Sequence, residues 1–511
     1  MADKTFYVTT PIYYVNDVPH IGHAYTTLAA DFLARFKRMD GYNVHFLTGT
    51  DEHGQKVEKS AAAAGIDPKT FCDQVSSRFR DLAGAMNFSN DQFIRTTDTD
   101  HLAAAQALWT RLVEKGAIYE DAYAGWYSVR DEAFYAEKEL TKQPDGSFLA
   151  PTGAPVEWVE EPSYFFRLSA YQDQLLELYE NQPDFVLPKS RLNEVKSFVA
   201  GGLDDLSISR TTFNWGVPVP GSDKHIMYVW IDALTNYLTA AGYPDTDSTE
   251  YTNRWPADLH IVGKDILRFH AVYWPAFLMA ADLPLPSRVF AHGWWTNEGQ
   301  KISKSLGNVI DPFDLIDRFG LDQTRYFLLR EVPFGNDGDF SQQAMINRVN
   351  ADLANDLGNL AQRSLSMVFK NCDGQIPTPG PYSPEDQALL DRIDTILDDV
   401  RPQMNLQAFH KALDAIWVRV GEANTYFASQ EPWALKKTDP ERMATVLFVT
   451  AEAIRQFGIL ISPIMPESGA KLLSLLGLEG LDFSALGSTH RLTPGTPIDK
   501  PQGVFPRLEA E

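Results

Sequence analysis

The chain has 511 residues, which is too long for one ordinary hydrophobic core, so two to four domains are expected. A content of 44% hydrophobic and 22% charged residues is typical of a globular protein and excludes a disordered or fibrous chain. The net charge of −23 argues against a general nucleic-acid coat protein, but it does not exclude a local patch that binds a specific RNA.

The cysteine content and the composition of the start of the chain indicate the cellular compartment. Cys72 and Cys372 are the only cysteines and are far apart, so they predict neither a disulfide framework nor a paired-cysteine metal site. The start of the chain lacks a basic segment followed by an apolar one, and no apolar run is long enough to cross a bilayer. We therefore expect a cytoplasmic protein.

The first segments predict a βαβ unit. Residues 6–10 and 44–48 have the pattern of buried strands, and residues 22–39 between them have apolar side chains at helical spacing. Strand, helix and strand in this order are typical of a parallel sheet, in which ligands bind beyond the carboxyl ends of the strands. The polar residues that fall there are His20, His23 and Asp51.

Later segments predict two more strands of this sheet and then a helical region. Residues 259–262 and 288–291 predict two more strands, so an aromatic-rich insertion splits the sheet. Beyond about residue 342 the pattern changes to long helices with proline-rich breaks, which indicates a helical bundle.

We therefore predict an α/β fold: a Rossmann-like, parallel-sheet catalytic domain with a connective insertion, followed by an all-α helical bundle. The predicted boundaries are 1–115 and 227–298 for the two halves of the sheet domain, 116–226 for the insertion, 299–341 for a loop region and 342–511 for the bundle.

The segment His20-Ile21-Gly22-His23 lies just before the first predicted helix. Histidines three residues apart share a helix face, and this helix end is expected to offer unpaired N–H groups and a positive dipole to a phosphate. Gly22 would let a flat adenine approach the backbone. Taken alone, the two histidines could equally be capping or core residues.

A second segment, Lys301-Ile302-Ser303-Lys304-Ser305, carries two lysines. Gly299 and Gly307 on its flanks predict a mobile loop that closes over a triphosphate. The ammonium groups would neutralise charge that develops on an α-phosphate and on departing pyrophosphate. A solvated loop is the alternative for this segment by itself.

The two segments together resemble the signatures of class I aminoacyl-tRNA synthetases, and in particular the methionyl-tRNA synthetase family. The first matches HIGH unchanged, and the second matches KMSKS except that Ile302 replaces methionine. Further similarity covers nearly the whole chain and is marked by residues 10–16, 48–54, 228–234 and 263–266.

The resemblance implies a ligase that activates L-methionine with ATP and Mg²⁺ and transfers it to tRNA(Met) for translation initiation and elongation. It implies ATP binding by Asn16, His20, Gly22, His23, Asp265, Gly293, Trp294, Lys301, Ser303 and Lys304, with the two histidines and two lysines catalytic. It implies methionine binding by Pro11, Ile12, Tyr14, Asp51, Trp230, Ala233, Tyr237, Ile266 and His270. It implies reading of the CAU anticodon by Asn359, Arg363 and Trp433.

The residue types suit these roles, although structural alternatives remain for several of them. Asp51 can pair with an ammonium group or cap a helix, and Tyr237 and His270 could be core residues. The hydroxyl of Tyr14 or the imidazole of His270 could reach the thioether sulfur as a weak hydrogen-bond partner. Asp265 could bind ribose or cap the following helix.

The insertion departs from the commoner family pattern. Many relatives carry zinc knuckles with CxxC pairs there, whereas residues 127–135 contain no cysteine, so we expect no structural zinc. The resemblance gives the insertion contacts with the tRNA acceptor end. Because the chain ends soon after residues 501–506, without room for a C-terminal β-barrel, we expect a monomer.

Three other functions are weaker. A class I synthetase for valine, isoleucine or leucine would need a larger editing insertion, and one for cysteine would need metal-binding thiolates. A HIGH-containing nucleotidyltransferase without tRNA would leave the helical bundle unexplained. A catalytically silent RNA-binding paralogue would have no need for both intact segments.

Overall fold

The computed structural model describes residues 4–16, 18–302 and 307–509. The chain divides into two compact units. The sheet unit contains residues 5–19 and 44–292, and the helical unit contains residues 20–43 and the described residues from 293 onwards, with Lys4.

The strands are, in chain order, β1 (Thr5–Thr9), β2 (Tyr13–Tyr14), β3 (Asn43–Asp51), β4 (Gln92–Arg95), β5 (Ile118–Ser128), β6 (Ala133–Tyr135), β7 (Thr141–Lys142), β8 (Phe148–Leu149), β9 (Pro155–Phe166), β10 (Val186–Leu187), β11 (Leu206–Ser207), β12 (Ser209–Arg210), β13 (Ile226–Met227), β14 (Leu259–Gly263), β15 (Val289–His292), β16 (Trp295–Asn297), β17 (Gln300–Lys301) and β18 (Gly338–Phe340).

The helices are, in chain order, α1 (Ile21–Met39), α2 (Gln55–Ala64), α3 (Pro68–Ala85), α4 (Thr99–Glu114), α5 (Gln172–Asn181), α6 (Lys189–Ala200), α7 (Val229–Thr239), α8 (Thr249–Arg254), α9 (Trp274–Ala280), α10 (Pro312–Phe319), α11 (Leu321–Arg330), α12 (Gln342–Arg348), α13 (Asn359–Asn371), α14 (Pro384–Asp394), α15 (Ile396–Asn405), α16 (Phe409–Gln430), α17 (Pro432–Thr438), α18 (Pro440–Ile461) and α19 (Pro466–Ser474). Two π-helical segments, Phe269–Tyr273 and Val349–Gly358, adjoin α9 and α13.

The main sheet of the sheet unit has the order β10-β15-β14-β1-β3-β2, with β4 also paired to β3. The pairs β10–β15, β14–β15, β1–β14, β2–β3 and β3–β4 all run parallel. Strands β14 and β15 are buried along nearly their whole length, as expected for a parallel sheet covered on both faces. The four strands predicted from the sequence are therefore confirmed as β1, β3, β14 and β15.

The insertion forms a separate antiparallel sheet of order β6-β5-β9-β8-β7, with β11 also paired to β9. Its long hairpin pairs β5 with β9 from Ile118 opposite Phe166 to Tyr127 opposite Glu157. A shorter hairpin joins β5 to β6, and its loop includes Glu132 at a φ of 49°. This loop supplies side chains to the cavity of the sheet unit.

In the helical unit, α1 is anchored by a charge pair without solvent access. Asp31 and Arg325 have fully buried side chains joined by a 2.6 Å hydrogen bond, and Arg325 also donates to the carbonyl of Ile464 at 2.8 Å. Further along α1, the ring of Phe36 packs edge-on against the ring of Phe483. These contacts fix the helix whose first turn carries the two histidines of the HIGH segment.

The helical unit also contains the small sheet β17-β16-β18, and from residue 342 onwards it forms the predicted bundle. Helix α16 buries an apolar stripe at helical spacing: Leu413, Ile416, Val420 and Phe427. Within the described residues one helix, α18, is long and apolar enough to cross a membrane, but 94% of its apolar window is buried, so it is a core helix. The prediction of a parallel-sheet α/β domain with an insertion, followed by helices, is confirmed.

Candidate active site

A cavity of about 360 Å³ opens at the carboxyl ends of β2, β3 and β14 in the sheet unit. All nine residues predicted to bind methionine line it: Pro11, Ile12, Tyr14, Asp51, Trp230, Ala233, Tyr237, Ile266 and His270. Asp265, predicted to bind ATP, also lines it, and the lining residues that sequence analysis did not single out include Lys56, Arg130, Asp131, Glu132, Tyr135, Thr152, Asn236 and Phe269.

Strand register and helical spacing bring these side chains together. Asp51 is the last residue of β3 and lies opposite Tyr14 in the parallel β2–β3 pair. Trp230, Ala233 and Tyr237 follow one another by three and four residues, so they share one face of α7. The cavity is thus built from elements that the hydrophobic pattern of the sequence already positions.

The aromatic wall of the cavity is held by stacking. The ring of Trp230 lies parallel to that of Phe269, with 3.7 Å between centroids and 4° between planes. The Tyr237 hydroxyl donates to Nε2 of His270 at 2.7 Å, and Nδ1 of His270 donates to the carbonyl of Ile266 at 3.0 Å. Burial lowers the pKa of His270 to about 4, so this imidazole is neutral with its proton on Nδ1.

These bonds correct one expectation about the thioether. Tyr14 donates its hydroxyl proton to Oε1 of Glu132 at 2.5 Å, and the single proton of neutral His270 goes to a backbone carbonyl. Neither group has a proton left for the sulfur in this arrangement. The cavity would therefore hold a thioether by shape and by dispersion against aromatic and aliphatic surfaces.

Asp51 combines burial with a missing partner. Its side chain is 7% exposed, and among the described residues its Oδ1 atom has no hydrogen-bond partner. Burial, together with the carboxylates of Asp232 and Glu132, raises the pKa of Asp51 well above its usual value. A cation entering the cavity would relieve both the desolvation and the repulsion.

Asp232, by contrast, is fully paired. One carboxylate oxygen lies 2.7 Å from Nδ1 of His53, and the other lies 2.8 Å from Nε2 of His101. Burial alone would raise the pKa of this carboxyl group, but the two imidazoles bring it down to about 2. Sequence analysis did not identify this trio, although His53 and Asp232 lie in the 48–54 and 228–234 segments that carry the resemblance.

In the helical unit, the two histidines of the HIGH segment cap α1 reciprocally. Nδ1 of His20 accepts from the N–H of Gly22, and Nδ1 of His23 accepts from the N–H of His20, both at 3.1 Å. The N–H of residue 21 donates to the Ile310 carbonyl, and those of residues 23 and 24 donate to the carbonyl of His20. The prediction of unpaired N–H groups at this end is wrong, because these donors are already used.

The caps determine which ring nitrogen carries the proton. Because each Nδ1 accepts a backbone N–H, a neutral ring has its proton on Nε2. Burial and the neighbouring His20 ring, whose centroid lies 3.9 Å away, hold the pKa of His23 well below its usual value. His23 is thus a neutral Nε2–H donor at physiological pH.

Two glycines predicted to contact the nucleotide have packing reasons of their own. A Cβ on Gly22 would lie 2.9 Å from Cε1 of His20, and a Cβ on Gly293 would lie 2.3 Å from the backbone of Asn336. Backbone packing therefore requires glycine at position 293, whereas a side chain at position 22 would press on the capping ring of His20. Their roles in nucleotide binding remain predictions.

The other predicted ATP residues divide between the units. Asp265 lines the cavity, and Asn16 lies near it: in the orientation that satisfies its amide, Asn16 accepts from Lys56 Nζ at 2.5 Å. In the helical unit, the backbone N–H of Trp294 donates to Oδ1 of Asp337 at 2.8 Å, and Trp294 is 47% exposed.

The KMSKS-type segment is described only in part. Lys301 is exposed in β17, which follows β16 through a tight turn at Glu298 and Gly299, both at positive φ. Ser303 and Lys304 lie outside the described residues. The predicted roles of both lysines therefore rest on the sequence.

The predicted anticodon residues lie close together in the helical unit. The Arg363 guanidinium carbon is 5.7 Å from the ring centroid of Trp433 and 5.4 Å from that of Phe427. Trp433 is 45% exposed, so it is not a core tryptophan. Asn359 is exposed one turn before Arg363 on α13, which completes a polar and aromatic surface.

The described ranges 4–16, 18–302 and 307–509 contain no group of three or more His, Cys, Asp or Glu side chains that could hold a metal ion. Cys72 is buried and bonds to the Glu52 carbonyl.

Two family models match the chain. The model for class I tRNA synthetases (M) matches residues 6–365, and the model for the anticodon-binding domain of methionyl tRNA ligase matches residues 376–511. With the parallel sheet, its cavity and the capped HIGH helix, the first match defines a class I aminoacyl-tRNA synthetase.

Similar proteins identify the family within this class. The methionine–tRNA ligase of Brucella suis is 59% identical over 514 residues, covering 100% of this chain and 99% of its own. That of Mycobacterium bovis is 57% identical over 513 residues, covering 99% and 98%. The crystal structure of Mycobacterium tuberculosis methionyl-tRNA synthetase bound by methionyl-adenylate matches with a TM-score of 0.96 at 56% identity, covering 98% of this chain and 100% of that one. The chain belongs to the methionine–tRNA ligase family.

The capping geometry yields a test that separates the two uses of His20. In His20→Asn, the side-chain oxygen can still accept the Gly22 N–H, but no donor remains at the Nε2 position. We expect a near-unchanged Tm and a rate of methionine-dependent ATP–pyrophosphate exchange reduced by about 10²-fold. His20→Ala should lose the rate and also about 1 kcal/mol of stability, because the cap is removed. An asparagine variant with full activity would show that the Nε2–H donor is not used.

Proposed function

We propose that this protein activates L-methionine with ATP, forming methionyl-adenylate and pyrophosphate, and then transfers the methionyl group to the 3′ end of tRNA(Met). The observation that carries the proposal is the cavity of the sheet unit. It combines a buried Asp51 carboxylate oxygen, for which the described residues offer no hydrogen-bond partner, with aromatic and aliphatic walls that suit an unbranched thioether.

Methionine selection follows from these two parts. Asp51 binds the ammonium group, and the walls formed by residues such as Trp230 and Ile266 enclose the side chain. A polar side chain of similar length would lose its hydrogen bonds to water without replacement, because the Tyr14 and His270 protons are engaged elsewhere. Selection against polar amino acids is thus built into the hydrogen-bond pattern.

ATP activation is assigned to the HIGH and KMSKS-type segments. A carboxylate oxygen of methionine attacks the α-phosphorus, and the bond to the pyrophosphate oxygen breaks. His20 and His23 donate Nε2–H bonds near the positive end of α1, while Lys301 and Lys304 offset the negative charge that develops. Mg²⁺ enters with ATP. We assign further ATP contacts to Asn16, Gly22, Asp265, Gly293, Trp294 and Ser303.

The second step needs no dedicated nucleophile from the protein. The hydroxyl of the terminal adenosine attacks the carbonyl carbon of the adenylate, and AMP leaves. Catalysis consists mainly of positioning and charge stabilisation. We assign the acceptor end of the tRNA to the insertion, residues 116–226, and its stem to residues 299–341.

Anticodon recognition is assigned to Asn359, Arg363 and Trp433 in the helical domain, residues 342–511. Its support is the exposed Trp433 ring next to the Arg363 guanidinium, a combination that stacks and hydrogen-bonds an unpaired base. A local patch of this kind can bind RNA although the whole chain is acidic. We also propose that the enzyme works as a cytoplasmic monomer.

ATP–pyrophosphate exchange across all twenty amino acids, without tRNA, tests the function. We expect exchange with methionine alone. Exchange with another amino acid would keep the assignment of the HIGH segment and reject that of the cavity. No exchange with any amino acid would contradict the proposed activation step.

A variant of Trp433 separates tRNA recognition from activation. Trp433→Ala should raise the KM for tRNA by about 5- to 150-fold, since base stacking on an aromatic ring contributes about 1–3 kcal/mol. Methionine activation without tRNA should not change. Tyr382→Ala, which removes another exposed aromatic ring of the helical unit, is the matched control and should alter neither quantity. Equal loss of both activities in Trp433→Ala would indicate a folding defect instead.

A further inference from the structure

Glu132 is one of the cavity residues that sequence analysis did not single out. It comes from the insertion, in the loop between β5 and β6, and its side chain is 6% exposed. Its Oε1 atom accepts from the Tyr14 hydroxyl at 2.5 Å and from the Lys56 N–H at 3.3 Å. The carboxylate of the insertion is thus fixed in the wall of the proposed methionine cavity.

The backbone conformation at Glu132 is unfavourable for a glutamate. Its φ of 49° lies in the left-handed region, where hairpin loops prefer glycine, asparagine or aspartate. The facing chain makes room for it: a Cβ on Gly54 would lie 2.7 Å from both Oε1 of Glu132 and the Tyr14 hydroxyl oxygen. Glycine on one side and a strained glutamate on the other are consistent with selection for the carboxylate itself.

Asp51 supplies the observation that points to a ligand. It lines the same cavity and is more than nine-tenths buried, and within the described part of the chain its Oδ1 has no hydrogen-bond partner. Glu132 is among the charges that disfavour ionisation of Asp51. Two carboxylates that oppose each other's ionisation at one cavity are both stabilised when a cation enters between them.

We propose that Glu132 is a recognition residue of the amino-acid site, supplying a second carboxylate, beside that of Asp51, for the substrate ammonium group. The proposal rests on the proposed methionine function. It makes the insertion part of amino-acid recognition, in addition to its assigned contact with tRNA. Tyr14 is the positioning residue, because its hydroxyl holds the carboxylate in place.

A pH dependence follows. Burial raises the pKa of Glu132 to about 7, against the lowering effects of Tyr14, Lys56 and Arg210. Asp51 also faces it, and Asp232 is held ionised by its two histidines. A carboxyl group with this pKa is protonated below about pH 7 and ionised above it, so the ammonium group should bind more tightly as pH rises through that value.

The test is the KM for methionine in ATP–pyrophosphate exchange between about pH 6 and pH 8. In the unaltered protein we expect KM to fall by about tenfold over this range, equivalent to one pKa unit of coupling. In Glu132→Gln, which keeps the size and an acceptor for Tyr14, KM should stay near its low-pH value throughout, with kcat little changed. Tyr14→Phe should move the midpoint to higher pH, because a bond to the ionised form is lost.

Glu157→Gln is the matched control, since it removes an exposed carboxylate from the same insertion and should keep the unaltered pH profile. Calorimetric titration with methionine gives the same comparison without turnover, so a variant slowed in chemistry still reports on binding. A Glu132→Gln protein that retains the full pH dependence would overturn the proposal and assign the titration to Asp51. Failure of the unaltered protein to bind or activate methionine would instead reject the proposed function.

Discussion

The proposed amino-acid site depends on one constraint, a buried carboxylate that little water reaches and that a positive charge would stabilise. The parallel sheet places Asp51 at the end of β3, nine-tenths buried. Its acidic neighbours supply no counter-charge: Asp232 is bonded to two imidazoles, Glu132 is bonded to the Tyr14 hydroxyl, and both carboxylates raise the pKa of Asp51. The proposed ammonium group of the substrate would pair with Asp51, and the proposed specificity follows from the aromatic and aliphatic walls around it.

In the HIGH segment, each histidine ring uses one nitrogen to cap a helix and leaves the other as a donor. Its histidines complete the hydrogen bonding of a helix start through Nδ1, a task usually given to serine or aspartate. This use fixes both ring orientation and tautomer, so Nε2–H becomes a preset donor. The buried pair of Asp31 with Arg325 then holds the helix that presents them. Capping and the proposed catalytic contact therefore use the same two rings, and a side chain at Gly22 would press on the capping ring of His20.

Periodicity predicted the strands and the bundle because buried parallel strands and core helices each leave a strong apolar signature. Resemblance gave nine residues that converge on one cavity. Glu132 could not be found this way, because it lies in an insertion loop with no periodicity and reaches the cavity through tertiary packing. The sequence could not predict the hydrogen-bond partners either. The paired N–H groups of residues 21–24 and the engaged protons of Tyr14 and His270 depend on atomic distances.

The most direct test of the account is the affinity for methionine, measured by calorimetry, of Asp51→Asn beside Asp131→Asn. Asp131 lines the same cavity, but its carboxylate already accepts from Tyr135 and Thr152. We predict that Asp51→Asn weakens binding by at least about 30-fold, since loss of one partner of a buried charge pair costs about 2–5 kcal/mol. Asp131→Asn should bind nearly as the unaltered protein does. Unchanged affinity in Asp51→Asn would contradict the account, because the ammonium group would then be held elsewhere.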